Sequence, residues 1–156
     1  MAADSDSAKV TFPPPLMFVG MLLLGFGLGR LLPWSVNLTD IGRYMGGGIL
    51  LLAGLYCLLA ANGRFRSADN DVRPWKTTSA IVSDGIYRWT RNPMYLGMAL
   101  VYLALTLAFS SMGALVLFPV LILIIRTQVI AREERYLEEK FGSEYLKYKQ
   151  NVRRWL

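Results

Sequence analysis

Four long runs of apolar residues dominate the sequence and limit what it can fold into. They cover residues 16–32, 45–61, 93–109 and 114–125. A run of about 17 residues forms a helix of roughly 26 Å, just enough to cross the hydrocarbon core of a bilayer. In lipid, only helices and closed barrels satisfy their backbone polar groups. The runs therefore predict an all-α integral membrane protein with about four transmembrane helices.

The chain has 156 residues, of which 54% are hydrophobic and 18% charged, and its formal net charge is +6. That length predicts one domain, residues 1–156. Residues 1–15 are predicted to be a flexible tail, because they are polar and lack the basic start of a signal peptide. Residues 16–61 are predicted to hold two N-terminal spans. The positive charge suits an anionic membrane surface, and no motif indicates a nucleic-acid partner.

The sequence contains no histidine and one cysteine, Cys57, which lies inside an apolar run. Metal sites are usually built from these residue types, and an intrachain disulfide needs two cysteines. We therefore expect no metal site. Any catalysis must use Arg, Lys, Tyr, Asn, carboxylates or backbone groups.

The basic residues are placed asymmetrically along the chain. Six lie in the polar segment 62–92 and seven follow Ala131, whereas the two short connections 35–44 and 110–113 hold only Arg43. Cytoplasmic loops of membrane proteins are enriched in Lys and Arg. The pattern predicts that both termini and the long polar segment lie in the cytosol.

Residues 83–97 form a polar and aromatic stretch directly before the third run. Pro93 favours a stiff corner followed by a helix start, and Asn62-Gly63 predicts a turn further upstream. A helix start offers free N–H groups to an anion. The same stretch also fits a plain interfacial corner with snorkelling arginines, so the pattern alone leaves both interpretations open.

The fourth run continues with helical spacing beyond the apolar residues. Arg126, Ile130 and Glu133 recur at this spacing, which predicts one helix that leaves the membrane and ends at Gly142. Ser143 is predicted to cap a last amphipathic helix. Its apolar stripe would contain Tyr145, Tyr148, Val152 and Trp155.

Two groups of residues resemble the motifs of the isoprenylcysteine carboxyl methyltransferase and phospholipid methyltransferase superfamily. The first is Gly85-Ile86-Tyr87-Arg88 followed by Arg91-Asn92-Pro93-Met94-Tyr95-Leu96-Gly97. The second comprises Glu133-Glu134, Leu137, Phe141-Gly142, Tyr145 and Tyr148. Their order and separation are also similar to that family, with a membrane hairpin between them. The resemblance covers about half of the chain.

This resemblance implies an enzyme that binds S-adenosylmethionine at the cytosolic membrane face and takes its substrate from the lipid. Residues 83–156 would form the cofactor-binding catalytic core. The implied cofactor-binding residues are Tyr87, Arg91, Asn92, Pro93, Tyr95, Leu96, Gly97, Glu133, Glu134, Tyr145 and Tyr148. Glu134 is also a candidate catalytic residue. Arg126 is a second one, because an arginine inside a span marks a site when it faces inward, although most such arginines snorkel.

Many family members have histidine where this chain has Asn92, and asparagine cannot titrate. With no obvious base, the residues favour an acidic acceptor that ionises without one, such as the carboxylate or thiol of a small lipophilic or prenylated molecule. A phospholipid amine N-methyltransferase is the alternative, since a tuned glutamate could act as the base. A small membrane transporter and a non-catalytic membrane adaptor remain as other classes. The expected location is a bacterial inner membrane or its equivalent.

Overall fold

The computed structural model describes residues 12–31, 36, 38–67 and 80–155. These residues form helices and connecting turns, and no β-strand occurs among them. The helices are α1 (Pro14–Leu31), α2 (Asp40–Ser67), α3 (Pro93–Ala108), α4 (Met112–Ile124), α5 (Ala131–Phe141) and α6 (Ser143–Asn151). A 3-10 turn at Gly85–Arg88 precedes α3, and a π-helical segment at Ile125–Ile130 joins α4 to α5.

Three helical stretches are long and apolar enough to cross a membrane. They are α1, α2 and the continuous helix Met112–Phe141, which consists of α4, the π segment and α5. Helix α3 is also apolar but has only 16 residues, about 24 Å of helix. The apolar runs predict an all-α integral membrane protein with about four transmembrane helices, and this is confirmed with three to four helices able to span.

The spans pack as two close pairs, α2 against α3 and α1 against α4. At the first contact, a Cβ added to Gly54 would lie 2.8 Å from the carbonyl oxygen of Gly97. At the second, a Cβ added to Gly25 would lie 2.5 Å from Cα of Ala114. Glycine at these positions lets the backbones approach each other, as the glycine-rich sequence of the spans predicts.

The connections α1–α2 and α3–α4 meet at one end of the bundle. Arg43 donates from Nη1 to Ser110 Oγ at 2.8 Å, and the Val36 N–H donates to the Ser110 carbonyl at 3.5 Å. The end of α2, the start of α3 and the helices α5 and α6 consequently lie at the opposite end. The predicted convergence of the two motif segments at one end of the bundle therefore follows from the connectivity.

Several predicted boundaries are wrong. Asn62-Gly63 is not a turn, because α2 continues through both residues to Ser67. Helix α1 begins at Pro14, within the predicted tail 1–15. The rest of that tail, residues 1–11, lies outside the described residues. The last helix ends at Asn151, so Val152 and Trp155 follow it instead of extending its apolar stripe.

The break between α5 and α6 is made by one glycine. Gly142 has φ 52° and ψ −123°, a backbone conformation that side chains disfavour, and it occupies both the C-cap of α5 and the N-cap of α6. The predicted stop at Gly142 is confirmed. The predicted cap at Ser143 is wrong, because Ser143 is already the first residue of α6 and Gly142 occupies the N-cap position.

Candidate functional site

The corner before α3 is built as the sequence predicts. Pro93 starts α3, with Asn92 as the N-cap residue in a non-helical conformation. Upstream, the 3-10 turn buries Tyr87 with Ala61 of α2 and Val82. The Tyr148 hydroxyl donates to the Tyr87 carbonyl at 2.7 Å, which ties α6 to this turn. The first motif is thus held between α2 and the C-terminal helices.

Glu134 is the centre of a buried ion-pair cluster. Its side chain is 6% exposed, and that of Arg91 is 8% exposed. Arg91 Nη2 lies 3.2 Å from Glu134 Oε1. Arg154 donates from Nε to Oε1 at 3.0 Å and from Nη2 to Oε2 at 2.5 Å. Lys149 Nζ is 4.0 Å from Oε2 and also pairs with Glu138. Residues 91 and 134, from separate motifs, therefore meet directly.

A second contact joins the motifs beside this cluster. The Tyr95 hydroxyl, from the first turn of α3, donates to Glu133 Oε1 at 2.5 Å. Among the described residues, no cation pairs with Glu133, in contrast to the adjacent Glu134. Two neighbouring carboxylates therefore have different environments: one is neutralised by guanidinium groups, and the other accepts a single phenol hydroxyl.

The tyrosines of α6 complete the polar face of the site. The rings of Tyr145 and Tyr148 have centroids 6.1 Å apart. Burial, followed by the negative charge of Glu134, raises the pKa of Tyr145. Burial also raises the pKa of Tyr148 and of Tyr87 above the usual range. These phenols are therefore neutral at physiological pH and offer hydroxyl donors and ring faces, not a base.

The cluster depends on residues that the sequence patterns did not single out. Arg154 makes both charge-assisted bonds to Glu134, and these bonds raise the pKa of its guanidinium. Lys149 lies 4.0 Å from Glu134, and the Thr90 hydroxyl donates to the Arg154 carbonyl at 3.2 Å. A continuous last helix would place Arg153 and Arg154 off its apolar stripe. The helix ends at Asn151 instead, and Arg154 beyond it reaches Glu134.

Gly97, Leu96 and Arg126 are predicted site residues whose surroundings lie elsewhere than the ion-pair cluster around Glu134. Gly97 packs on α2, where a Cβ would meet Leu58 Cγ and the Gly54 carbonyl oxygen at 2.8 Å. Leu96 lines a cavity of about 410 Å³ between α2 and the 3-10 turn. Arg126 lies in the π segment with an exposed side chain, and its guanidinium makes no hydrogen bond or ion pair to another described residue. The roles assigned to these residues stay predictions.

The donor and acceptor set of the cluster fits S-adenosylmethionine. Arg91 Nε is buried and has no partner among the described residues, so it offers a free charged donor for a carboxylate. The Glu133 carboxylate is available to hydroxyl or ammonium donors. Tyrosine faces favour a sulfonium cation. Within the same described part of the chain, no three His, Cys, Asp or Glu residues come together as a metal site.

Comparison with known proteins gives one family and two relatives. A family model described as phospholipid methyltransferase matches residues 42–144. An uncharacterized protein of Haemophilus influenzae is 52% identical over 63 residues, which are 40% of this chain and all of that protein. The protein-S-isoprenylcysteine O-methyltransferase of Saccharomyces cerevisiae is 31% identical over 108 residues, or 68% of this chain and 45% of the yeast protein.

The matches cover only part of the relative and part of the candidate site. The chain spans less than half the length of the yeast relative. The matched family region contains the first motif and Glu133-Glu134, but it ends before Tyr145, Tyr148 and Arg154. No solved structure matches the chain.

Proposed function

The chain belongs to the phospholipid methyltransferase family, and from that premise we propose that it transfers a methyl group from S-adenosylmethionine to a lipophilic acceptor at the cytosolic membrane face. The observation that carries this proposal is the meeting of the two motifs. Arg91 with Glu134, and Tyr95 with Glu133, are close contacts between segments about forty residues apart. The buried Arg91 Nε, which has no partner among the described residues, leaves a charged donor at this contact.

S-Adenosylmethionine supplies an electrophilic methyl group on a sulfonium, so the protein needs no nucleophile of its own. In the proposal, Arg91 binds the carboxylate of the cofactor, and Glu133 accepts hydrogen bonds from its hydroxyl or amino groups. Tyr95 fixes Glu133 through its 2.5 Å hydrogen bond. Tyr87, Tyr145 and Tyr148 supply ring faces and exclude water. Glu134 holds Arg91 in place electrostatically.

The acceptor proposed first is a carboxylate or thiol of a small lipophilic or prenylated molecule. Such a group is ionised or easily ionised near neutral pH and needs no strong base. The site supports this choice because Asn92 and the neutral tyrosines cannot take up a proton there. The name of the yeast relative, an isoprenylcysteine O-methyltransferase, also supports a lipophilic carboxylate.

A phospholipid amine is the second candidate acceptor, and one observation favours it. An ammonium must lose its proton before it can attack. Glu133 is a carboxylate without a described cationic partner, and it lies at the start of α5, just past the apolar residues. It could therefore accept a proton from an amine head group. The description of the matched family points the same way.

A methyl-transfer assay separates these acceptors. The purified protein in lipid nanodiscs would receive radiolabelled S-adenosylmethionine together with a phosphatidylethanolamine, a prenylated cysteine or a lipophilic thiol. We expect label in one lipid-soluble product, and label in the carboxylate product should be released by mild base because it is a methyl ester. A variant in which Arg91 is replaced by Gln serves as the inactive control. Absence of transfer to every class, with no cofactor binding, would favour the transporter or adaptor alternative.

The proposed location within the cell rests on the apolar helices and on the distribution of basic residues. Three apolar helices identify an integral membrane protein. The distribution of Lys and Arg in the sequence supports termini and a site on the cytosolic side. A bacterial inner membrane or its equivalent is the compartment proposed.

A further inference from the structure

Residues 152–155, which follow α6, cross over the corner before α3, and we call them the strap. The backbone N–H of Arg91 donates to the Arg153 carbonyl at 2.9 Å. The Arg154 carbonyl accepts two side-chain bonds, from Asn92 Nδ2 at 2.9 Å and from Thr90 Oγ1 at 3.2 Å. The ring of Trp155 packs against the apolar core of the bundle. The strap is therefore fixed by backbone, side-chain and apolar contacts.

The residues that hold the strap are buried, and each gives a side-chain hydrogen bond to it. Thr90 is 1% exposed and Asn92 is 8% exposed. The Thr90 hydroxyl donates to the strap and accepts from the Asn92 N–H at 3.2 Å. A buried amide or hydroxyl is costly to leave without partners. Asn92, which stands where many family members have histidine, thus spends its amide donor on the protein's own backbone.

The strap closes a ring of contacts around the proposed cofactor site. Its carbonyls hold Arg91 and Asn92, and its Arg154 side chain holds both carboxylate oxygens of Glu134. Glu134 in turn binds Arg91. Because each member touches the next, the strap fixes the Arg91 guanidinium, whose buried Nε has no partner among the described residues. If the strap is released, Arg91 loses its backbone anchor and Glu134 loses its bidentate partner.

We infer that Asn92 and Arg154 are positioning residues, which bind the strap in place and thereby orient Arg91 and Glu134 for the ligand, and that Asn92 does not itself contact the cofactor. This inference rests on the proposed function for the identity of the ligand. It assigns to residue 92 a role that requires a hydrogen-bond donor but no change of protonation state. Asparagine and neutral or charged histidine both meet that requirement, whereas aspartate does not.

Three variants test the inference. Asn92→Asp keeps the size of the side chain but replaces the amide donor by an acceptor that repels the Arg154 carbonyl. Thr90→Val keeps the shape and removes the hydroxyl, and Asn92→His keeps a donor. Thr127→Val is the matched control, since the Thr127 hydroxyl is exposed and bonds only within its own helix, to Leu123 O at 2.8 Å.

Two readouts are needed, one of which is independent of the cofactor. Hydrogen–deuterium exchange of the peptide that contains residues 152–155 reports strap release in the ligand-free protein. Calorimetric titration with S-adenosylmethionine reports affinity. We expect Asn92→Asp and Thr90→Val to speed exchange in that peptide and to raise Kd at least tenfold, the loss typical of a buried hydrogen bond. Asn92→His and Thr127→Val should resemble the unmodified protein in both measurements.

The inference is overturned if Asn92→Asp leaves strap exchange unchanged, or if it releases the strap without weakening binding. It is also overturned if Asn92→His loses affinity while its strap stays protected, because residue 92 would then contact the ligand directly. If the unmodified protein does not bind S-adenosylmethionine, the proposed function fails. The exchange data still decide in that case whether Asn92 and Thr90 hold the strap.

Discussion

At the scale of single residues, the candidate site is centred on a buried carboxylate shared by two guanidinium groups. Glu134 lies 3.2 Å from Arg91 and accepts two bonds from Arg154. Removing one partner from such a cluster leaves an uncompensated buried charge, which costs about 3–5 kcal/mol. Alanine at position 134 would therefore disturb both folding and binding, so variants that keep the side-chain shape are the sharper probes.

The first prediction concerns coupling between Arg91 and Glu134. Arg91→Gln and Glu134→Gln should each weaken binding of S-adenosylmethionine about ten- to a hundredfold, the loss expected for a charge-assisted contact. Because the residues touch, the double variant should lose less than the sum, with a coupling of about 0.5–3 kcal/mol. Calorimetry in detergent measures all four proteins. Lys147→Ala, on the exposed face of α6, is the control, and strict additivity would contradict the shared contact.

The second prediction concerns the hydroxyl group of Tyr95. Tyr95→Phe removes only the donor to Glu133, so it should weaken cofactor binding while leaving the spans assembled. Tyr102→Phe is matched to it, because the Tyr102 hydroxyl donates to the Ala114 carbonyl at 2.8 Å within the bundle. That variant should lower thermal stability slightly and leave affinity unchanged. If both variants bind the cofactor equally well, Tyr95 only packs α3 against α5.

At the scale of helices, the contact between α2 and α3 assigns a packing role to Gly97. Gly97→Ala would place a methyl group 2.8 Å from the Gly54 carbonyl, and overpacking of this kind costs about 1–3 kcal/mol. Gly48→Ala is the control, since a Cβ there meets nothing within 4 Å. We expect a lower midpoint of thermal unfolding in detergent for Gly97→Ala alone. An unchanged midpoint with lost cofactor binding would instead place Gly97 at the ligand.

The sequence predicts helix boundaries well where the backbone itself imposes them. Pro93 favours the first turn of a helix, where its missing N–H costs nothing, and Gly142 adopts a conformation that other residues disfavour, so both boundaries are as predicted. The Asn62-Gly63 pair fails as a turn signal because its intrinsic cost is only about 1 kcal/mol in a helix. Ala61 and Phe65 lie on either side of the pair and pack with the 3-10 turn. The free energy gained from such packing can exceed that cost.

The candidate site could be predicted in part from the sequence, because the connectivity of the spans limits which segments can meet. The connectivity of four spans brings residues 83–97 and α5 to one end, so the contact of Arg91 with Glu134 follows from topology. The part played by Arg154 does not. It depends on the chain leaving the helix at Asn151 and turning back over Asn92, and no periodicity in the sequence encodes that path.

At the scale of the whole molecule, the fourth prediction concerns topology. Reporter domains fused after Thr39 and after Trp155 should report opposite sides of the membrane, with the second in the cytosol. The reason is the excess of Lys and Arg in segment 62–92 and after Ala131. Alkaline phosphatase and green fluorescent protein fusions measure the two sides independently. Signals on the same side would contradict a bundle whose α1–α2 and α3–α4 connections share one end.

The central claim is that the two motifs form one metal-independent site for S-adenosylmethionine, and direct calorimetric titration of the purified protein tests it. The titration would be run in detergent with and without a chelator, on the unmodified protein and on the Arg91→Gln variant. The account predicts saturable one-site binding that the chelator does not change and that Arg91→Gln weakens at least tenfold. Absence of binding by the unmodified protein, or binding that the chelator abolishes, would contradict it.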